Sequence, residues 1–215
     1  MFKNGGCIFK KQKLIEHLQT KYHISNQRVL QAILNVPREK FVEAPFRFKA
    51  YEDTSLPIGF GQTISKPSTV ALMTELLELS GGEKILEIGM GSGYQAAILA
   101  ELKCRVFTIE RVKGLFDRAS KILKELGYYN VIPLFADGSK GWPSEAPFDR
   151  IIITAAANEL EEILFAQLSN GGILIGPRQE QGKQVITRFR RINNEIHEED
   201  ITDAHFVPLL QGRML

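Results

Sequence analysis

The sequence predicts an α/β protein built on an open, doubly wound, mostly parallel sheet. Three observations carry that expectation. From Lys84 onward, short apolar segments alternate with segments of helical periodicity, an order that yields a parallel sheet with helices on both faces. Ile151-Ile152-Ile153 is an unbroken β-branched run of the kind buried on both sides of such a sheet. The first strand of the series ends in a glycine-rich loop that opens a helix, beside the point where sheets of this class bind ligands.

Taken in order, residues 1–9 read as a loose end, and Lys10 to Thr20 as a weak amphipathic helix carrying Leu14, Ile15 and Leu18. Asn26 to Asn35 has Val29, Leu30, Ile33 and Leu34 at helical spacing, with Ser25 as the expected N-cap and Pro37 as the stop. Residues 36–64 are rich in Pro, Gly and aromatics and read as an irregular arm, a functional loop or a packed connector. Ser68 to Leu79 is a helix started by Ser65 and Pro67. Strands follow at Lys84–Ile88, Arg105–Ile109, Val131–Phe135, Arg150–Thr154 and Gly172–Ile175. Helices are expected at Ala96–Leu102, Val112–Leu126 with Gly127 as C-cap, and Glu159–Leu168. Gln184 to Arg191 alternates like an antiparallel edge strand, and Phe206-Val207 reads as a last short strand.

Composition narrows the class. With 27 Lys and Arg against 25 Asp and Glu, the formal charge of +2 leaves little attraction for nucleic acid or an anionic membrane. No apolar run is long enough to span a bilayer, and Met1 to Gly6 lacks the apolar stretch of a secretory signal. Cys7 and Cys104 have no metal-ligand spacing, so a reducing, cytoplasmic setting and no metal are expected. No H-E-x-x-H or G-x-S-x-G occurs, and Gly176 to Gln184 matches a P-loop poorly, with Gln where Ser or Thr should bind magnesium.

The loop Glu87-Ile88-Gly89-Met90-Gly91-Ser92-Gly93-Tyr94 lets backbone approach a ligand closely. Tyr94 stands where a dinucleotide fingerprint needs Gly or Ala, which argues against a nicotinamide or flavin oxidoreductase. Glu87 suits a ligand with a cationic end. Glu110, about 20 residues further on at the tip of the next strand, can accept both hydroxyls of a ribose. Asp137-Gly138 after the third strand can accept from an adenine amino group. The ligand that fits all three is an adenosine with a cationic amino-acid tail, S-adenosyl-L-methionine. For Ser65 two readings stay open. It is the N-cap of the following helix, or its hydroxyl and the helix's free amides hold an anionic oxygen.

Beyond these features, the chain resembles the protein-L-isoaspartate (D-aspartate) O-methyltransferase family from about residue 14 to residue 212. The similarity is carried by Val36-Pro37-Arg38-Glu39-Lys40-Phe41-Val42, Ala50-Tyr51-Glu52-Asp53, Leu56 to Pro67 with its Gly-Gln-Thr-Ile-Ser, and Ile85 to Gln95. It continues in Asp137 to Pro143, Pro147-Phe148-Asp149, Thr154 to Ala157, Gln167 to Gly172 and Phe206 to Leu209. Met90, Ala136 and Asn158 depart from the family's usual residues.

The resemblance implies a fold of the S-adenosylmethionine-dependent methyltransferase type with an N-terminal helical extension. Residues 1–60 would form that extension and a substrate-side arm, and residues 61–215 the catalytic core. It implies methylation of the free carboxylate of L-isoaspartyl residues in damaged proteins and peptides, which starts repair through a succinimide. S-adenosyl-L-homocysteine would be the cofactor product, and the enzyme a monomer without nucleic-acid or membrane partners. Ser65 would be the active-site serine. Cofactor contacts would come from Thr63, Ile64, Ser65, Lys66, Glu87, Gly89, Met90, Gly91, Ser92, Gly93, Glu110, Asp137 and Gly138, and peptide contacts from Pro57, Ile58, Gln62, Val207 and Leu209. Methylation of another carboxylate, and cofactor binding without turnover, are the alternatives.

Overall fold

A computed structural model describes residues 5–156, 162–180, 182–193 and 195–215. Helix α1 (Gly5–Tyr22) begins inside the stretch expected to be loose. Helix α2 (Gln27–Asn35) is capped by Asn26 and not by Ser25: the Asn26 side chain accepts from Arg28 N and Val29 N at 3.0 and 3.3 Å. Ser25 instead donates its amide to Glu75 Oε1 at 2.9 Å. Both residue types cap well, and the backbone decides, because Asn26 holds the extended conformation that a cap requires.

The arm is more ordered than its composition suggested. Two 3-10 turns, Arg38–Lys40 and Ala44–Lys49, lead to a hairpin of β1 (Leu56–Gly59) and β2 (Gln62–Ile64). Phe60 and Gly61 make its turn with φ of 54° and 69°, the mirror-image geometry that suits two-residue hairpins. Helix α3 (Pro67–Leu76) follows, three residues shorter than expected at its C-terminal end.

The main sheet contains β3 (Lys84–Ile88), β4 (Arg105–Glu110), β5 (Val131–Phe135), β6 (Phe148–Ile153), β7 (Leu168–Glu180), β8 (Lys183–Ile192) and β9 (Glu195–Ala204) in the order β5-β4-β3-β6-β7-β8-β9. The first five of that order are parallel, and β7, β8 and β9 are antiparallel. Between the strands run α4 (Tyr94–Glu101), α5 (Lys113–Glu125) and the described part of the expected 159–168 helix, α6 (Glu162–Ala166). The chain order reverses between β3 and β6, so the crevice beside the glycine loop opens there.

Two expectations fail at the far edge. β8 is an interior strand, because β9 pairs along it from Gln184 to Ile192. Phe206-Val207 is not a strand; the chain makes only an isolated bridge there, between Ala156 and Pro208. The reason lies in β9 itself. Glu195, Glu198, Glu199, Asp200 and Asp203 give it no apolar alternation, and it is exposed along most of its length. Charge of this kind on an open edge discourages pairing with other chains.

The core occupies both sheet faces. Leu86, Ile88, Phe107, Ile109 and Ile151 pack with Phe148, Leu164 and Leu174 on one face. Ile85, Val106 and Ile152 share the other cluster with Leu18 of α1, Leu30 of α2 and Ile98 of α4. The N-terminal helices are therefore built into the same apolar interior as the central strands. Burial at about 25 cal/mol per Å² of apolar surface fastens them there.

Candidate active site

At the carboxyl ends of β3, β4 and β6 a cavity of about 940 Å³ opens to solvent. The glycine loop forms its floor. Gly89 N and Met90 N both donate to Ile109 O at 3.0 Å, and Gly93 N donates to Met90 O at 2.8 Å. Gly89 has φ +96°, and a Cβ there would stand 2.6 Å from Thr154 Oγ1. The Thr154 hydroxyl in turn lies 2.6 Å from Gly89 O and 3.1 Å from Ile88 O, so β6 holds the loop of β3 by a side chain. Gly93, with φ +87°, answers to a different need: a Cβ there would press on Ala119 and Leu123 of α5 at 3.3 Å.

Glu110 sits in the cavity wall, 5% exposed. Gly91 N donates to its Oε2 at 2.7 Å and Val112 N to its Oε1 at 2.8 Å. The carboxylate is thus oriented from two sides, with acceptor capacity left for two hydroxyls. Gly138 also lines the wall; a Cβ there would lie 2.6 Å from Ile88 Cγ2.

Most of the expected cofactor residues meet in this wall: Thr63, Ile64, Ser65, Gly89, Met90, Gly91, Ser92, Glu110 and Gly138. Ile58, Gln62, Val207 and Leu209 of the expected peptide set are there as well. Five residues are not. Pro57 is exposed in the hairpin, opposite Thr63. Lys66 lies over the Tyr22 ring, 5.6 Å from its centroid. Gly93 faces α5, as above. Asp137 lies outside this wall, where Ser139 N donates to Oδ1 at 2.9 Å and Gly212 N to Oδ2 at 2.6 Å. Burial pushes its carboxyl up, but those hydrogen bonds and the Arg111 charge bring it below the usual carboxylate range.

Glu87 is the fifth. It is fully buried beneath the loop, where the Thr108 hydroxyl donates to one oxygen and the other has no partner among the described residues. Burial raises its pKa to about 8 against the pull of the Thr108 hydrogen bond, and the neighbouring Glu110 charge adds to the rise.

Ser65 stands between β2 and α3, and the structure removes its capping role. The N-cap of α3 is Lys66, which makes no side-chain cap. The amide of Ser68 is taken by Asp53 Oδ1 at 2.8 Å, so that amide is not free for an anionic ligand. Burial raises the Asp53 carboxyl, while hydrogen bonds from Ser68 and Tyr22 and the Lys66 charge take it below its usual range. The Ser65 hydroxyl is half-buried and has no hydrogen-bond partner among the described residues.

A second groove, about 1500 Å³, runs between the end of α1, the start of α3 and the end of β9. It shares Thr63, Ser65, Thr69, Thr154 and Val207 with the cavity, so the two spaces meet at Ser65. The C-terminal segment straps across the junction. Ala156 N donates to Val207 O at 2.8 Å, Arg111 Nε to Gly212 O at 2.7 Å, and Lys113 N to Met214 O at 2.8 Å.

Sequence reasoning did not single out Thr69, Met73, Tyr94, Gln95, Arg111 and Thr154 as wall residues. Thr154 could have been found, since it ends the strand beside the switch point. Met73 could not, because on an apolar helix it reads as core. Of the departures, Met90 is buried and lines the wall, Ala136 N donates to Glu110 O at 3.0 Å, and Asn158 lies outside the described residues. Among the described residues no His, Cys, Asp or Glu group could hold a metal ion.

Known proteins bear on this geometry. Residues 9–214 match the family described as protein-L-isoaspartate(D-aspartate) O-methyltransferase. A protein-L-isoaspartate O-methyltransferase of Dictyoglomus thermophilum is 48% identical over 200 residues, covering 93% of this chain and 90% of the relative. One from Yersinia pestis is 51% identical over 191 residues, covering 89% and 91%. A Plasmodium falciparum structure described as a protein-L-isoaspartate O-methyltransferase in complex with S-adenosyl-L-homocysteine superposes with TM-score 0.81 at 29% identity, covering 92% of this chain and 97% of its own. A further protein-L-isoaspartate O-methyltransferase superposes with TM-score 0.82 at 30% identity; the match spans 92% of this chain and 65% of that one.

Proposed function

The chain belongs to the protein-L-isoaspartate (D-aspartate) O-methyltransferase family, and from that premise we infer its reaction. It transfers a methyl group from S-adenosyl-L-methionine to the free carboxylate of L-isoaspartyl residues in damaged proteins and peptides. The observation that carries the site assignment is the junction at Ser65, where a glycine-floored cavity opens into a longer groove.

The cavity fits an adenosyl donor. The positive φ of Gly89 and Gly91 lets the loop backbone reach the ligand without side chains in the way, and Glu110 presents an oriented carboxylate to ribose hydroxyls. When bound, S-adenosyl-L-methionine supplies an electrophilic methyl on a positively charged sulfur and leaves as S-adenosyl-L-homocysteine. Glu87 lies one layer below the loop, where burial raises its carboxyl to about 8 and keeps it outside the cavity wall.

The acceptor carboxylate, with a pKa of about 4, is ionised at neutral pH, so the protein has no proton to remove. Its work is alignment. Ser65, without a competing partner, donates its hydroxyl to the acceptor group and turns one oxygen toward the cavity. Thr63 and Thr69 complete that rim, and Val207 and Leu209 of the strap cover it. Holding two reactants in one geometry can contribute roughly 7–11 kcal/mol. Exclusion of water by the strap strengthens the attraction between anion and cation.

A monomer in the cytoplasm is the proposed setting. No helix among the described residues is long and apolar enough to cross a membrane. Burial, with a hydrogen bond to Glu83, pushes the Cys104 thiol to about 12, which leaves it unreactive.

The deciding experiment offers labelled S-adenosyl-L-methionine and either an isoaspartyl peptide or its aspartyl twin. Label should appear in the isoaspartyl peptide alone and be released by base. Equal labelling of both, or none, would overturn the substrate assignment.

A further inference from the structure

Arg38 is the largest fully buried side chain with a charge, and no step described above uses it. Burial lowers its pKa to about 10, so it is still a cation at neutral pH. Among the described residues no carboxylate forms an ion pair with it, and its Nη1 has no hydrogen-bond partner. A buried cation whose hydrogen bonds go only to carbonyl groups is costly even with the Asp53 charge and the Tyr94 ring nearby, and an apolar side chain of that size would fill the space at less expense in stability.

What the guanidinium touches is informative. Its Nε donates to Ala50 O at 2.9 Å and its Nη2 to Thr54 O at 3.4 Å. These carbonyls bracket the turn that carries Asp53, and Asp53 holds the first turn of α3 through Ser68 N, three residues beyond Ser65. The Cζ of the same guanidinium lies over the Tyr94 ring, 4.9 Å from its centroid. Tyr94 is the first residue of α4, follows the last glycine of the loop, and is itself part of the cavity wall.

We propose that Arg38 is a positioning residue for methyl transfer, joining the 50–54 turn that sets Ser65 to the Tyr94 ring that backs the glycine loop, so that acceptor and donor keep one spacing. The inference rests on the methyl-transfer reading. A residue with this role acts on alignment, where a displacement of about 1 Å can cost on the order of a hundredfold in rate, and acts little on the binding of either partner alone.

The test compares the full chain with Arg38→Lys and Arg38→Met, using an isoaspartyl peptide for kinetics, calorimetry with S-adenosyl-L-homocysteine for affinity, and thermal melting for the folded fraction. Both variants should lose at least tenfold in kcat per folded molecule, while the peptide KM and the S-adenosyl-L-homocysteine Kd stay within threefold. Lysine should rescue little, since one ammonium cannot bind both carbonyls and stack on the ring. Lower Tm with unchanged kcat per folded molecule would mean a structural role only and would overturn the proposal. Should neither variant fold, Tyr94→Leu and Tyr94→Phe take their place. Loss of the ring should lower kcat and loss of the hydroxyl should not; equal kcat in both and in the parent sinks the idea. A parent chain that methylates no isoaspartyl peptide removes the functional reading and this inference together, whereas an active parent matched by its Arg38 variants removes the inference alone.

Discussion

The proposed donor side and the proposed acceptor side of the site differ in how much chain lies between their parts. On the donor side, Gly89 to Gly93 form one uninterrupted loop, and Glu110 binds that loop directly through Gly91 N. On the acceptor side, Ser65 depends on Asp53 for the helix behind it, on Val207 from the far end of the chain for its cover, and on Lys21, Tyr22 and Ile201 for the groove it faces. The first is a short piece of backbone chemistry that any strand-loop-helix unit can carry. The second is a meeting of segments that exists only once the sheet and its edge strands have formed. A change on the donor side should therefore act on cofactor affinity, and a change on the acceptor side on turnover.

The sharpest way to break this division is Gly89→Val. The φ of +96° and a Cβ position 2.6 Å from Thr154 Oγ1 leave no room for a branched side chain, and S-adenosyl-L-homocysteine should bind more than about a hundredfold weaker by calorimetry. Unchanged affinity would show that the loop is not the donor floor. Glu110→Ala comes next. It removes one or two charged hydrogen bonds to the ribose, each worth roughly 1.5–3 kcal/mol, so Kd should rise at least tenfold with the peptide KM little changed.

Ser65→Ala tests the other half. Loss of one hydrogen bond to the ionised acceptor, roughly 1.5–3 kcal/mol, should lower kcat about tenfold or more and leave cofactor Kd intact. If Kd moved and kcat did not, the two sides would have been assigned the wrong way round.

The smallest effect on activity is expected at Glu87, which lies under the loop without forming its wall. Its carboxyl binds a proton more tightly in the fold, at about 8, than at the ordinary value of 4.5. The folded state then holds more protons than the unfolded state across that window, and stability falls as pH rises from about 4.5 to about 8. Glu87→Gln abolishes this slope. Melting curves from pH 5 to pH 8 should show the parent losing stability relative to the variant, by something on the order of a few kcal/mol. Parallel pH profiles would place the Glu87 charge in a better-solvated setting than its complete burial implies.

Legibility followed the same division. β3 and β5 lie where apolar run and loop chemistry put them, to the residue. The glycine loop and Glu110 were readable because both are local signals at strand tips. Asp137 was read as a ligand group; its carboxylate also accepts from Ser139 N and the C-terminal Gly212 N, a contact across 75 positions that no local pattern announces. Ser65 looked like a helix cap by residue type; Asp53, from a turn of the arm, took that place. β9 was missed because its acidic sequence lacks the alternation by which strands are recognised.

By itself, then, the order of residues determined the strand-helix alternation, the parallel sheet, the glycine turn and the acidic residue that reaches it. These depend on backbone propensity and side-chain period over a few neighbouring positions. Only the tertiary structure decided which amides and carboxylates were already engaged, which strand closed the sheet, and that Ser65 stands where cavity and groove join. Those outcomes are settled by competition among groups distant in sequence for the same hydrogen bonds and the same buried space, and that competition has no local signature.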